Sequence, residues 1–201
     1  MSCTVSFGRR NKELSSSLAV RWTLLDKLIQ ELRFRRIVPL IADGGILADM
    51  GCGDGSFLRH VRSRVAFAYG VDLNIEQASG SDTISFHRGD LNQTIPLKDE
   101  SADVVTALAV IEHLMTPQKF VSEIRRILKT GGKCILTTPS PRSKPLLEFL
   151  AYRLKVISEK DIRDHRNYFT KPQLLRLFVE FRSVDITSFQ CGFNTLIVAG
   201  K

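Results

Sequence analysis

Ile46-Leu47-Ala48-Asp49-Met50-Gly51-Cys52-Gly53-Asp54-Gly55-Ser56-Phe57-Leu58 is a short apolar run that ends beside an acid, breaks into three alternate glycines, and resumes as an apolar-periodic segment. The run is long enough for a buried strand, the glycines for a sharp turn, and Phe57, Leu58 and Val61 fall on one face of a following helix. Strand, glycine loop and helix in that order predict an open sheet of mainly parallel strands, with ligands binding beyond the strands' carboxyl ends.

The same alternation continues downstream. Val65 to Leu73 reads as a second strand ending at Asp72, Thr83 to His87 as a third ending near Asp90, and Ala102 to Val110 as a fourth that runs into Glu112-His113. Thr116-Pro117 predicts a helix start, a capping hydroxyl followed by proline at the first helical position, with Phe120, Val121, Ile124, Ile127 and Leu128 as its buried face and Gly131-Gly132 as its stop. Lys133 to Thr138 is a fifth strand. Two amphipathic helices follow, Leu146 to Ile157 and Pro172 to Phe181, the second capped by Thr170. Ser183 to Gln190 and Phe193 to Ala199, separated by Cys191-Gly192, predict a closing antiparallel hairpin. Upstream of the loop, Asn11 to Ile37 is helical in pattern, with Leu25, Leu28, Ile29 and Leu32 on one stripe. The expected fold is α/β, Rossmann-like and doubly wound: a mostly parallel seven-stranded sheet with a C-terminal antiparallel hairpin. It is organised as one domain, with an N-terminal helical cap at 1–45, a cofactor-binding core at 46–139, a second helical cap or insertion at 140–182, and the hairpin at 183–201.

Composition fits a single globular unit: 201 residues, 43% hydrophobic and 25% charged. No secretory apolar stretch opens the chain and no run reaches the ~18 apolar residues of a membrane span, so a soluble cytoplasmic protein is the expectation. Cys3, Cys52, Cys134 and Cys191 form no Cys-x-x-Cys pair, which argues for reduced, structural thiols. The net charge of +8 is uneven. Eight basic residues oppose three acidic ones up to Leu40, ten oppose twelve from Ile41 to Pro139, and ten oppose five from Ser140 to Arg182. Basic flanks around a slightly acidic centre suit an anionic small molecule, a nucleic acid or a membrane surface, and equally describe a solvated face.

Three acids stand at predicted strand ends, and each admits both a chemical and a structural role. Asp49 leads the glycine loop. Asp72, about 20 residues beyond the loop, is where an acid accepts from ribose hydroxyls, and Asp90-Leu91 is where a carboxylate and a backbone N–H can meet an adenine. Each is also an ordinary turn residue. The glycine spacing departs from the dinucleotide fingerprint, since the sixth position from Gly51 is Ser56 and the fifth is glycine. A phosphate-rich cofactor makes little use of carboxylates, whereas one with an amino group and a sulfonium is compatible with them.

With Ala48-Asp49-Met50-Gly51-Cys52-Gly53-Asp54-Gly55, Val71-Asp72, Gly89-Asp90-Leu91, Ala102-Asp103-Val104-Val105, Glu112-His113-Leu114 and Leu128-Lys129-Thr130-Gly131-Gly132, the sequence resembles the class I S-adenosylmethionine-dependent methyltransferases. The Glu112-His113-Leu114 step resembles their small-molecule branch, which includes quinone, glycan and lipid-pathway enzymes. The resemblance implies S-adenosylmethionine as cofactor, with Asp49, Gly51, Cys52, Gly53 and Gly55 seating its methionine part. It implies Asp72 and Leu73 at the ribose, Asp90 and Leu91 at the adenine, and the backbone near Leu108 at the amino group. His113 is the candidate base, because it follows the fourth strand and imidazole titrates near neutral pH; packing at the next helix is its structural alternative. His165 and Tyr168, in Asp164-His165-Arg166-Asn167-Tyr168-Phe169, are secondary candidates. A Glu-x-x-Glu-His metal pattern is incomplete, with Ala109 where its first glutamate would stand, so no metal is expected. The implied function is methyl transfer to a small acceptor, with an anionic acceptor compatible with the basic flanks. A nucleic-acid methyltransferase and a non-catalytic or dehydrogenase-like nucleotide-binding protein are the alternatives; no Asn/Asp-Pro-Pro-Tyr sequence follows the fourth strand, which disfavours the first of these. Neither the acceptor's identity nor an oligomeric state follows from these residues.

Overall fold

The structure, a computed structural model, describes residues 24–75, 81–150 and 166–201. Helix α1 (Leu24–Ile37) leads through a 3-10 turn at Val38–Leu40 to β1 (Ile46–Met50), α2 (Ser56–Val61), β2 (Phe67–Asp72), β3 (Ile84–Arg88) and β4 (Ala102–Leu108). Then come α3 (Pro117–Ile127), β5 (Leu128–Pro139), α4 (Lys144–Glu148), α5 (Lys171–Leu177), β6 (Ser183–Phe189) and β7 (Asn194–Gly200). The seven strands form one sheet in the order β3-β2-β1-β4-β5-β7-β6. β1 to β5 pair in parallel, and β7 inserts antiparallel between β5 and β6. This is the expected doubly wound sheet with its terminal hairpin. The order reverses at β1, where β2 lies to one side and β4 to the other, so a crevice opens beyond the carboxyl ends of β1 and β4.

Alternation along β1 shows why both faces must be covered. Ala48 and Met50 join the apolar cluster under α3 and α5, which includes Phe120, Ile124, Leu174 and Phe178. Leu47 points the other way, into a cluster with Phe34 and Ile37 of α1 and Phe57, Leu58 and Val61 of α2.

Several local expectations are corrected. Helix α3 starts as expected, with Thr116 at the N-cap position and Pro117 first in the helix, but the Thr116 hydroxyl makes no capping bond: its Oγ1 donates to the Asn92 carbonyl at 3.2 Å, and the Asn92 side-chain oxygen accepts the N–H groups of Met115 (2.8 Å) and Thr116 (3.3 Å). A residue distant in sequence thereby takes over the helix entry and ties it to the loop after β3. Gly131-Gly132 does not stop α3 either. The helix ends at Ile127 and β5 starts at once, because Leu128 already pairs with Ala102; the glycines let the strand bulge before Lys133 pairs with Val104. Thr170 does begin α5, and its backbone N–H donates to Gln173 Oε1 at 2.9 Å, one half of a capping box. The stripe of α1 is not buried core: Leu28 and Leu32 are exposed, and burial falls on Phe34 and Ile37. Of the two predicted helices after β5, the second is Lys171–Leu177, and the first is described only from Lys144 to Glu148, with most of 146–157 outside the described residues, as is 11–23 of the N-terminal segment.

Candidate cofactor and acceptor site

The glycine loop turns the chain back across the end of β2. Gly51 N–H donates to the Val71 carbonyl at 2.7 Å, and Cys52 N–H reaches the same oxygen at 3.3 Å. Gly51 has φ +74°, and a Cβ built there would lie 2.5 Å from Val110 Cγ2; both backbone and packing therefore require glycine. Gly53 differs: at φ +53°, nothing stands within 4 Å of its missing Cβ, so the loop leaves open space on that side.

Nearly every N–H of the loop is already used. Gly53 N–H donates to Asp72 Oδ2 (2.9 Å), Gly55 N–H to the Cys52 carbonyl (2.8 Å), and Ser56 N–H to Asp54 Oδ1 (2.9 Å). At the glycine turn and the first residue of α2 the donors thus meet internal acceptors, two of them carboxylates. An anionic cradle is the opposite of this arrangement.

The acids have distinct environments. Asp49 is buried, and its Oδ1 accepts the Thr106 hydroxyl at 2.6 Å. Burial pushes its carboxyl up to about 7; the Thr106 bond works against this and the Asp72 charge adds to it. Asp72 holds both sides of a turn, with Oδ2 on Gly53 N–H and Oδ1 on Asn74 N–H at 2.9 Å. Asp90 makes a local turn, Oδ1 accepting from the backbone and side-chain nitrogens of Asn92 at 2.9 and 3.1 Å. Leu91 is buried beside it, whereas Leu73 is exposed. Cys52 is buried, and burial together with Asp49 raises its thiol well above the usual range, consistent with an inert sulfur.

A cavity of about 760 Å³ opens on this edge. It brings Asp49, Gly51, Cys52, Gly53, Leu108 and His113 together. Gly55, Asp72, Leu73, Asp90 and Leu91 stand outside its lining, on the β2 and β3 side of the same edge. Beyond β4 the chain turns at Ala109, which has φ 58°, and enters a 3-10 turn at Ile111–His113. The Glu112 carbonyl accepts the N–H groups of Arg166 (2.9 Å) and Asn167 (3.0 Å), and Asn167 Nδ2 donates to the Leu114 carbonyl at 2.9 Å. The stretch before α5 is therefore stitched under the turn that carries His113. Tyr168 lies next to it with Lys144 Nζ 5.6 Å from its ring centre, outside the cavity's lining; His165 lies outside the described residues.

Arg33 and Glu112 were given no place at the cavity by sequence reasoning. Arg33 was counted only in the basic flank, and Glu112 only within the Glu112-His113-Leu114 resemblance and an incomplete metal pattern; both line the cavity. The signal for Glu112 was present, since a glutamate directly after an apolar strand and before His113 is placed at the binding edge. Arg33 had none, because it comes from a helix whose docking depends on tertiary packing. Among the described residues no group of three metal-ligating side chains is present.

Residues 48–136, from the end of β1 into β5, match the family model for a methyltransferase domain. Over that stretch the chain is similar to a methyltransferase domain. It is 31% identical over 134 residues to a protein named as a methyltransferase in Encephalitozoon cuniculi, covering 65% of this chain and 58% of that one. It is also 25% identical over 158 residues to the ubiquinone biosynthesis O-methyltransferase of Psychrobacter cryohalolentis, covering 71% and 61%. The chain thus spans about three-fifths of the length of these relatives. Among solved structures, an S-adenosylmethionine-dependent methyltransferase of Mesorhizobium loti superposes with a TM-score of 0.67 at 17% identity, over 88% of this chain and all (100%) of that one. This likeness is one of fold. The methyltransferase domain suits the local chemistry, because the family's cofactor is cationic at sulfur and at its amino group, and Asp49 is a buried acid at the cavity whose ionised form a cation stabilises.

Proposed function

We propose that this protein transfers a methyl group from S-adenosylmethionine to a small-molecule acceptor held in the cavity over β1 and β4. The observation that carries the reading is the loop itself: the N–H groups of Gly51, Cys52, Gly53, Gly55 and Ser56 are spent on internal acceptors while a buried acid faces the cavity, which favours a cationic ligand over a pyrophosphate. A dehydrogenase-like reading loses its main support there.

When bound, S-adenosylmethionine supplies an electrophilic methyl group on positively charged sulfur. The protein's part is placement. Asp49, Gly51, Cys52 and Gly53 hold the methionine end, and Leu108 presents backbone beside its amino group. Asp72 acts at the ribose through the oxygen lone pairs left after its bonds to Gly53 and Asn74, with Leu73 adjacent, and Asp90 and Leu91 act at the adenine. Holding nucleophile and methyl in line accounts for up to roughly 7–11 kcal/mol of a displacement barrier. The apolar walls, among them Ile29, Phe34 and Phe57, exclude water from the reacting groups.

An oxygen nucleophile must lose its proton, and His113, at the cavity wall, is the residue placed to receive it. Tyr168 and His165 are left as supporting candidates of the neighbouring segment. The test is turnover with labelled S-adenosylmethionine and an acceptor recovered from cell extract. His113→Ala is expected to slow the chemical step roughly 100-fold, with S-adenosylhomocysteine affinity unchanged; an unaltered rate removes His113 as the base.

A further inference from the structure

Arg33 and Glu112 meet the cavity from opposite sides of the fold, one from α1 and one from the turn after β4. The Nε of Arg33 is buried and has no hydrogen-bond partner among the described residues. Burial lowers the guanidinium's proton affinity, and the charge of Glu112 partly restores it. Glu112 is fully buried; its Oε2 accepts the Thr138 hydroxyl at 3.1 Å, while Oε1 is buried with no partner. Glu112 is attracted by His113 next to it and also by Arg33, the latter without closing a direct hydrogen bond. Opposite charges taken out of water and left apart are costly unless something else satisfies them. The lining also holds Asp49, Asp54, Gln190 and Asn194, none of which hydrogen-bonds Arg33 Nε, and its walls are largely apolar, with Ile29, Phe34, Phe57 and Phe193.

We propose that Arg33 and Glu112 form the acceptor's polar subsite, so that the acceptor is an amphipathic acid. Its carboxylate lies on the guanidinium fork of Arg33, its hydroxyl or amine donates a hydrogen bond to Glu112 Oε1 in the resting complex and releases that proton to the neighbouring His113 on methyl transfer, and its apolar body rests on the walls between. A planar carboxylate is the natural partner of a buried Arg edge that includes Nε, because two parallel N–H bonds can form there. This inference rests on the methyltransferase reading, since it assigns the space left beside the donor.

The test is calorimetric. Protein is first titrated with S-adenosylhomocysteine, and the saturated complex is then titrated with hydroxyphenylacetate, with the neutral hydroxyphenylacetamide, and with phenyl phosphate. The acid is expected to bind about tenfold or more tightly than the amide. Arg33→Met is expected to abolish that preference with S-adenosylhomocysteine affinity intact. Arg33→Lys, which keeps the charge and loses the fork, retains part of it and serves if the Met variant folds poorly. Equal or absent binding of acid and amide, or an acid preference untouched in both variants, overturns the proposal; so does a preference for phenyl phosphate over the acid. Failure of S-adenosylhomocysteine to bind is a separate result, which overturns the methyltransferase reading itself.

Discussion

At the scale of single residues, Asp49 determines how the site responds to pH. Its carboxyl is raised from 3.8 to about 7 by burial, so the folded protein keeps a proton that the unfolded chain has already released. The folded state then binds more protons across this interval, and stability must fall as pH rises from about 4 to about 7, by at most roughly 1.4 kcal/mol per unit. The contribution is complete below the unfolded value and gone above the folded one. Asp49→Asn keeps a carbonyl for the Thr106 hydroxyl and cannot ionise. Thermal unfolding followed from about pH 5 to about pH 8 should therefore show a shallower decline in the variant, with S-adenosylmethionine bound more weakly at the upper end, where the ionised acid is missing. Identical slopes in the two proteins would contradict this assignment.

At the scale of elements, the loop between β1 and α2 is a packed structure before it is a binding surface. Gly51 combines a left-handed backbone with a 2.5 Å approach to Val110, so Gly51→Ala combines backbone strain and overpacking, roughly 2–4 kcal/mol together. Adding Val110→Ala should return part of the loss and none of the backbone share, so urea unfolding of the double variant is expected to show less than the sum of the single effects. Full additivity would mean that the clash is relieved elsewhere. The loop, the strand-end acids and the parallel alternation were all legible in the sequence, because they depend on local turn chemistry and on apolar runs of strand length. Where reading failed, a distant partner intervened. Asn92 drew the Thr116 hydroxyl away from capping α3, Ala102 captured Leu128 into β5 before the glycines, and Phe34 and Ile37, not Leu28 and Leu32, became the buried side of α1. Arg33 was invisible for the same reason, since only the docking of α1 brings it to the cavity.

At the scale of the whole molecule, the order β3-β2-β1-β4-β5-β7-β6 gathers strand ends from Asp49 to His113 on one edge and lets α1 close over it. The basic flanks acquire a specific consequence, because at least one of their charges, Arg33, lines the cavity with its Nε buried. None of the helices among the described residues is long and apolar enough to cross a membrane. Methyl donor and acceptor are thus assigned to a single cavity edge whose loop has acids for a cation and few free donors for a phosphate. The most direct measurement is calorimetric titration of the wild-type chain and Asp72→Ala with S-adenosylhomocysteine, with NADH as the competing ligand. Saturable binding of S-adenosylhomocysteine, weakened roughly tenfold by Asp72→Ala in a chain that keeps its fold, and no binding of NADH are predicted; saturable NADH binding with no response to S-adenosylhomocysteine would contradict the account.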